Sequence, residues 1–203
     1  MKRLIIIVFI VPLLMACPRK SEDKRTDTAK AFRENGYDFP AYRKTAYKNI
    51  QFRLPESFEY DYGNRYCYKS SSLNRRDFQL GIIFTVERFT EDDLESELMA
   101  DYMIEEDLLN GFHDAYAQRR YKSLYEAAVS FKKDLKKGSK FKGVIQTLGG
   151  KSSDYSEEYL YYVMATIKVE DEYYVFQFIT QKDMMDYIYD DFEHILASVR
   201  KKK

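Results

Sequence analysis

The fold turns on Glu158-Tyr-Leu-Tyr-Tyr-Val-Met-Ala-Thr-Ile-Lys-Val169 and, after Glu170-Asp171-Glu172, on Tyr173-Tyr-Val-Phe-Gln-Phe-Ile-Thr180. Successive side chains of a strand point to opposite faces. In the first stretch Tyr159, Tyr161, Val163, Ala165 and Ile167 fall on one side, and Leu160, Tyr162 and Met164 on the other. Both sides are apolar, which predicts a strand covered above and below. The acidic triplet leaves room only for a tight hairpin. A hairpin with two apolar faces needs two covering layers. The expected fold is therefore α+β, an antiparallel sheet of about six strands flanked by helices on both faces.

Working outward, Phe141 to Leu148 supplies the strand before the hairpin, and Asp183 to about Arg200 a helix after it. That helix offers Met185, Ile188, Phe192, Ile195, Leu196 and Val199 as its buried side. Upstream, Ile50, Phe52 and Leu54 mark the inner face of a strand from Tyr47 that Pro55 ends. Arg65–Ser71 and Phe78–Glu87 are two more strand candidates, the latter with Phe78, Leu80, Ile82, Phe84 and Val86 on one face. Thr90 is placed to cap a helix through Leu109, with Glu91, Asp92 and Asp93 complementing its positive end and Asn110-Gly111 stopping it. A second helix is predicted over Arg120–Lys137, from the three-and-four spacing of Tyr121, Leu124, Tyr125, Ala128, Phe131 and Leu135.

Two resemblances follow from this order. A first strand ending Phe52-x-Leu54-Pro55-x-x-Phe58 precedes a hairpin, a helical middle and a Tyr-rich hairpin. A last helix then reads Tyr187-x-x-Asp190-x-Phe192-x-x-Ile195-Leu196-x-Ser198-Val199. Over residues 46–200 this resembles the PsbP-like fold, an α/β/α sandwich whose members bind partners and are not generally enzymes. The resemblance implies a fold and a tendency, and assigns no functional residue. The other resemblance lies at the start. Lys2 and Arg3 precede an apolar run from Leu4 to Leu14, followed by Leu14-Met15-Ala16-Cys17. The run of eleven residues is shorter than the ~20 of a spanning helix. Its layout is that of a secretory signal, and Leu-x-Ala-Cys resembles the bacterial lipobox. The lipobox implies removal of residues 1–16, acylation of Cys17, and a place on the bacterial cell membrane or outer membrane, facing periplasm or exterior. Residues 17–46, charged and mixed in sign, read as a flexible tether, and residues 47–203 as the globular domain.

Without Lys2 and Arg3, the 33 basic residues become 31, against 33 acidic. That near-balance exerts no general pull on nucleic acid, which is not an expected partner. Nor do the two cysteines make a disulfide framework once Cys17 is acylated, since Cys67 is then alone. Charge is nevertheless separated locally. Residues 91–109 hold nine carboxylates and no Lys or Arg, while Lys132, Lys133, Lys136, Lys137, Lys140 and Lys142 crowd together. On a helical wheel Asp92, Asp93, Glu106 and Asp107 point outward, which makes them the candidate contact with a protein partner.

The sequence offers little to catalysis. Gly149-Gly150-Lys151-Ser152 lacks the earlier glycine of a phosphate loop, Ile145 standing there, and reads as a turn. Cys67 could act as a nucleophile only with His113 or His194, which nothing in sequence pairs with it. Two His and one free Cys fall short of a structural zinc site, the carboxylates of 91–107 do not form a calcium loop, and no cofactor motif appears. The expected function is a lipid-anchored envelope binding or accessory protein. The alternatives are an immunity protein against an envelope-acting toxin, and an enzyme without a recognisable motif.

Overall fold

The computed structural model describes residues 41–60, 72–77, 80–93, 108–135 and 139–203. Among these residues the main sheet has eight strands, one of them off the main path. Across it run β3 (Glu59–Tyr60), β4 (Leu73–Asp77), β5 (Ile82–Thr90), β10 (Glu172–Gln181), β9 (Tyr159–Val169), β8 (Gly143–Lys151) and β6 (Tyr125–Val129), with β7 (Lys133–Asp134) also on β8. A smaller sheet orders β1 (Tyr42–Tyr47), β2 (Ile50–Pro55) and β11 (Arg200–Lys201). Every pairing is antiparallel.

The β9–β10 hairpin is the centre, as its two apolar faces require. Val163, Ala165 and Ile167 join Phe176 and Phe178 in one buried cluster. Helix α2 (Lys182–Ala197) adds Ile188, Phe192 and Ile195 to it, and β2 adds Ile50, Phe52 and Leu54. Alternate residues Leu160, Tyr162 and Met164 join a second cluster with Leu109, Phe112 and Tyr116 of helix α1 (Leu108–Lys122). Aromatic rings fill the first cluster: Phe58 stacks on Phe178 at 5.6 Å, and Phe178 meets Phe192 at 4.9 Å.

One carboxylate ties the small sheet to the large one. Glu172 accepts from Asn49 in the β1–β2 turn at 3.0 Å, from Arg88 of β5 at 2.8 Å, and from the Tyr174 hydroxyl. Partial burial works to raise its pKa, but the bonds from Tyr174, Asn49 and Arg88 outweigh that and hold it below the ordinary carboxyl value. The tight turns need left-handed residues, and Lys48 (φ 51°) and Glu170 (φ 56°) supply them.

Several expectations are corrected. Residues 42–46 of the expected tether are strand β1, so the sheet begins ahead of Tyr47. Asn110-Gly111 does not stop a helix, because Gly111 is buried inside α1, where close packing overrides its poor propensity. His113, expected in a polar link, is 1% exposed on that helix. The helix expected over Arg120–Lys137 ends at Lys122, with the Ser123 hydroxyl on the Arg120 carbonyl at 2.7 Å. The chain beyond it becomes β6 and β7, since the edge of β8 offers backbone hydrogen bonds that pairing satisfies. Gly149 and Gly150 lie within β8 and not in a turn. Arg200 is strand, not helix. Strand β4 went unforeseen, because its sequence Leu-Asn-Arg-Arg-Asp is polar although Arg75 and Asp77 are buried. The strand expected over Arg65–Ser71 lies outside the described residues, as do Phe78 and Cys67.

Candidate functional site

Beneath α1 the sheet carries a buried polar layer. Gln177 donates to the Tyr116 hydroxyl at 2.8 Å and to Thr85 at 3.3 Å, and Tyr116 donates to Glu87 at 2.9 Å. Burial, then the Glu87 charge, pushes the Tyr116 phenol well above its ordinary value. One turn earlier, His113 Nδ1 meets Thr166 Oγ1 at 2.9 Å. Burial lowers its pKa to about 4, so the ring is neutral at pH 7; Asp114 and Gln146 oppose that shift and Lys132 adds to it. These groups fix the seating of α1 on the sheet. His113 is buried on α1 against Thr166 of β9, whereas His194 is exposed on α2, with its ring 4.9 Å from Tyr42. The two histidines therefore do not converge. Among the described residues no three of His, Cys, Asp or Glu gather as a metal site would require.

Of the expected contact residues, Asp92 is exposed just after β5. Asp93 is engaged locally: its carboxylate accepts from the Thr90 N–H and hydroxyl, both at 2.7 Å, and its own N–H donates back to that hydroxyl at 3.3 Å. This reciprocal cap occupies the charge that the wheel left pointing outward. Glu106, Asp107 and Cys17 lie outside the described residues.

The feature that sequence reading missed is the outer edge beside β8. Phe131 is 92% exposed, Tyr155 97%, Val129 54% and Tyr125 46%. A bulge between Tyr125 and Ala128 shapes it, with Glu126 held left-handed at φ 48°. Two bonds fix that conformation: Lys151 pairs with Glu126 at 2.6 Å, and the Tyr159 hydroxyl donates to the Glu126 carbonyl at 3.0 Å. Glycines make the arrangement possible. A Cβ on Gly149 would stand 2.7 Å from the Tyr159 ring, and one on Gly150 would stand 2.9 Å from the Tyr125 carbonyl oxygen. Tyr159 and Tyr161 thus lie across β8 with ring centroids 5.1 Å apart. Exposed aromatic residues on a rigid frame are the material of protein interfaces. For Tyr125 and Phe131 the signal was present in sequence, on the apolar face of the helix expected over Arg120–Lys137.

A second surface is an open groove of about 820 Å³ between the small sheet and α2, lined by Tyr42, Lys44, Gln51, Arg53, His194 and Arg200 among others. Pairing sets Lys44 directly opposite Arg53, and Gln51 opposite both Ala46 and Arg200, so these residues share the outer face.

No family model and no curated protein matches this chain. Solved structures do. The crystal structure of the Saccharomyces cerevisiae Ran-binding protein Mog1p is 9% identical, with a TM-score of 0.54, over 79% of this chain and 95% of that one. The solution structure of cyanobacterial PsbP (CyanoP) from Synechocystis sp. PCC 6803 is 10% identical, with a TM-score of 0.53, over 82% and 96%. The domain thus has a PsbP/Mog1-like fold, a mixed α and β structure built on antiparallel sheets.

Proposed function

We propose that this chain is a lipid-anchored binding or accessory protein of the bacterial cell envelope, acting through protein–protein contacts and not by catalysis. The observation that carries the binding half is the exposed aromatic edge, with Phe131 and Tyr155 almost wholly in solvent. Water gains from releasing such side chains into an interface. Leu14-Met15-Ala16-Cys17 supports the anchor. Mog1p is described as Ran-binding, and what carries over is a scaffold that presents a surface to a protein.

Two experiments test this. Labelled fatty acid should enter the wild-type chain and not Cys17→Ser; an unlabelled wild type would refute the anchor. A photo-crosslinking residue in place of Phe131 should yield one discrete adduct in intact cells, while the same residue in place of exposed Glu56 or Asp190 should not. Equal, diffuse labelling at all sites would refute the aromatic edge as the contact.

A further inference from the structure

The groove beside the small sheet has a charge pattern that folding does not explain. Lys44 and Arg53 are exposed directly across from each other on β1 and β2. Like charges at that spacing repel and work against the pairing. Among the described residues no carboxylate forms an ion pair with either. Arg200 is one strand further on the same face, beside Gln51, its guanidinium donating to the carbonyls of Ala197 and Val199. Asp191, on α2, accepts from the Tyr42 hydroxyl that lines the same groove, at 2.8 Å. The outer face of the sheet therefore gathers three cations, Lys44, Arg53 and Arg200, on adjoining strands.

The same groove lies at the root of the proposed tether. Tyr42 opens β1 and lines it. Between Cys17 and Tyr42 lie 24 residues, which as a flexible coil would span about 27 Å root-mean-square. A domain held that close meets headgroups at high effective concentration, so weak attraction is enough to orient it. We infer that the outer face of the β1–β2–β11 sheet, through Lys44, Arg53 and Arg200, docks on the anionic phospholipid surface to which the chain is anchored. This rests on the lipid-anchor reading and deepens it by giving the domain an orientation. Clustered cations beside a membrane anchor bind acidic headgroups, with an attraction that fades over a Debye length. An extended acidic protein segment has related chemistry, but the position of the tether root favours the membrane.

The test uses the processed, acylated chain reconstituted in vesicles. A fluorescent amino acid replaces Ala46, exposed on the outer face, or Ser152, which follows Lys151 at the opposite end of β9 from the Asn49–Glu172 contact. A headgroup quencher reports proximity. With phosphatidylglycerol in the vesicles, quenching at position 46 should rise about twofold or more over neutral phosphatidylcholine and fall again with salt. Quenching at 152 should not change. Lys44→Gln with Arg53→Gln should return position 46 to its neutral-vesicle level; Arg200 is left in place because it bonds the end of α2. Quenching at 46 that ignores lipid charge, or that survives the double substitution, overturns the inference. So does a response that needs envelope protein and not anionic lipid, which would assign the groove to an acidic protein partner. Flotation on neutral vesicles reports the anchor separately. A chain that floats without charge-dependent quenching refutes docking alone, and one that does not float refutes the anchor and docking together.

Discussion

Lowering the pH from 7 to 5 should destabilise the domain through His113, and replacing that residue should remove the effect. Burial depresses the folded-state pKa from 6.5 to about 4. The folded ring therefore stays neutral while the unfolded ring protonates, so the unfolded state binds more protons and stability falls with pH. The full shift, from 6.5 to about 4, corresponds to about 3 kcal/mol at 1.36 kcal/mol per unit. The two titrations together give a loss of about 2 kcal/mol between pH 7 and pH 5. For a domain of this size that lowers the melting temperature by about 4–8 °C. Glu172, held below the ordinary carboxyl value, acts in the same direction but mainly below pH 5, where the unfolded carboxyl takes up its proton first. The control is His113→Asn, which sets an amide near Nδ1, facing Thr166, and cannot titrate. The variant starts less stable because the ring leaves a void. Its melting temperature should nevertheless fall less than that of the wild type between the two pH values. Parallel lines for the two proteins would refute the assignment of a buried, neutral His113.

Three further outcomes are expected. Val163 is 0% exposed and pairs with Phe178 across the sheet; Val163→Asp buries a carboxylate without a partner and should abolish cooperative unfolding at pH 7, so a melt within a few degrees of wild type would refute the central core. Gly149→Ala pushes a Cβ to 2.7 Å from the Tyr159 ring and should cost about 1–3 kcal/mol by denaturant unfolding, a loss that Tyr159→Ala in the same chain should partly restore. Asp93→Ala should cost about 1 kcal/mol because it opens the cap with Thr90, whereas exposed Asp92→Asn should leave the melting temperature unmoved and weaken capture of a basic partner only at low salt; equal melting shifts for the two would refute the cap.

Legibility in the sequence followed burial. The alternation in 159–167 assigned each residue to the right face, because both faces are packed and a one-residue slip would move every side chain to the wrong layer. The inner residues of α2 were legible for the same reason: Met185, Ile188, Phe192, Ile195 and Leu196 all reach the core, as does Val199 just beyond the helix. Where polar groups are buried, pattern reading failed. Arg75 and Asp77 make β4 look like a loop, yet Asp77 accepts the Leu80 N–H at 3.0 Å and both side chains are nearly enclosed. His113 in a polar run looked solvated, because its partner Thr166 is 53 residues away. A local reading has no access to a hydrogen bond made across the sheet.

The failure at Arg120–Lys137 bears most directly on function. Tyr121, Tyr125, Phe131 and Leu135 recur at helical spacing, and spacing alone asks for a core on that side. What meets this stretch is the edge of β8, whose backbone offers hydrogen bonds from Val144 to Lys151 and no apolar cover. Pairing with that edge satisfies the main chain at once. Phe131 and Tyr125 are then left on a rim where the described residues do not bury them. Hydrophobic periodicity reports that a face is apolar, but not whether its cover lies in the same chain. An apolar face that the fold leaves bare is therefore a binding signal disguised as a wrong helix. The bond from Tyr159 to the Glu126 carbonyl and the clearance at Gly149 hold that rim rigid. A partner meeting it would thus have little ordering entropy to overcome on this side of the contact.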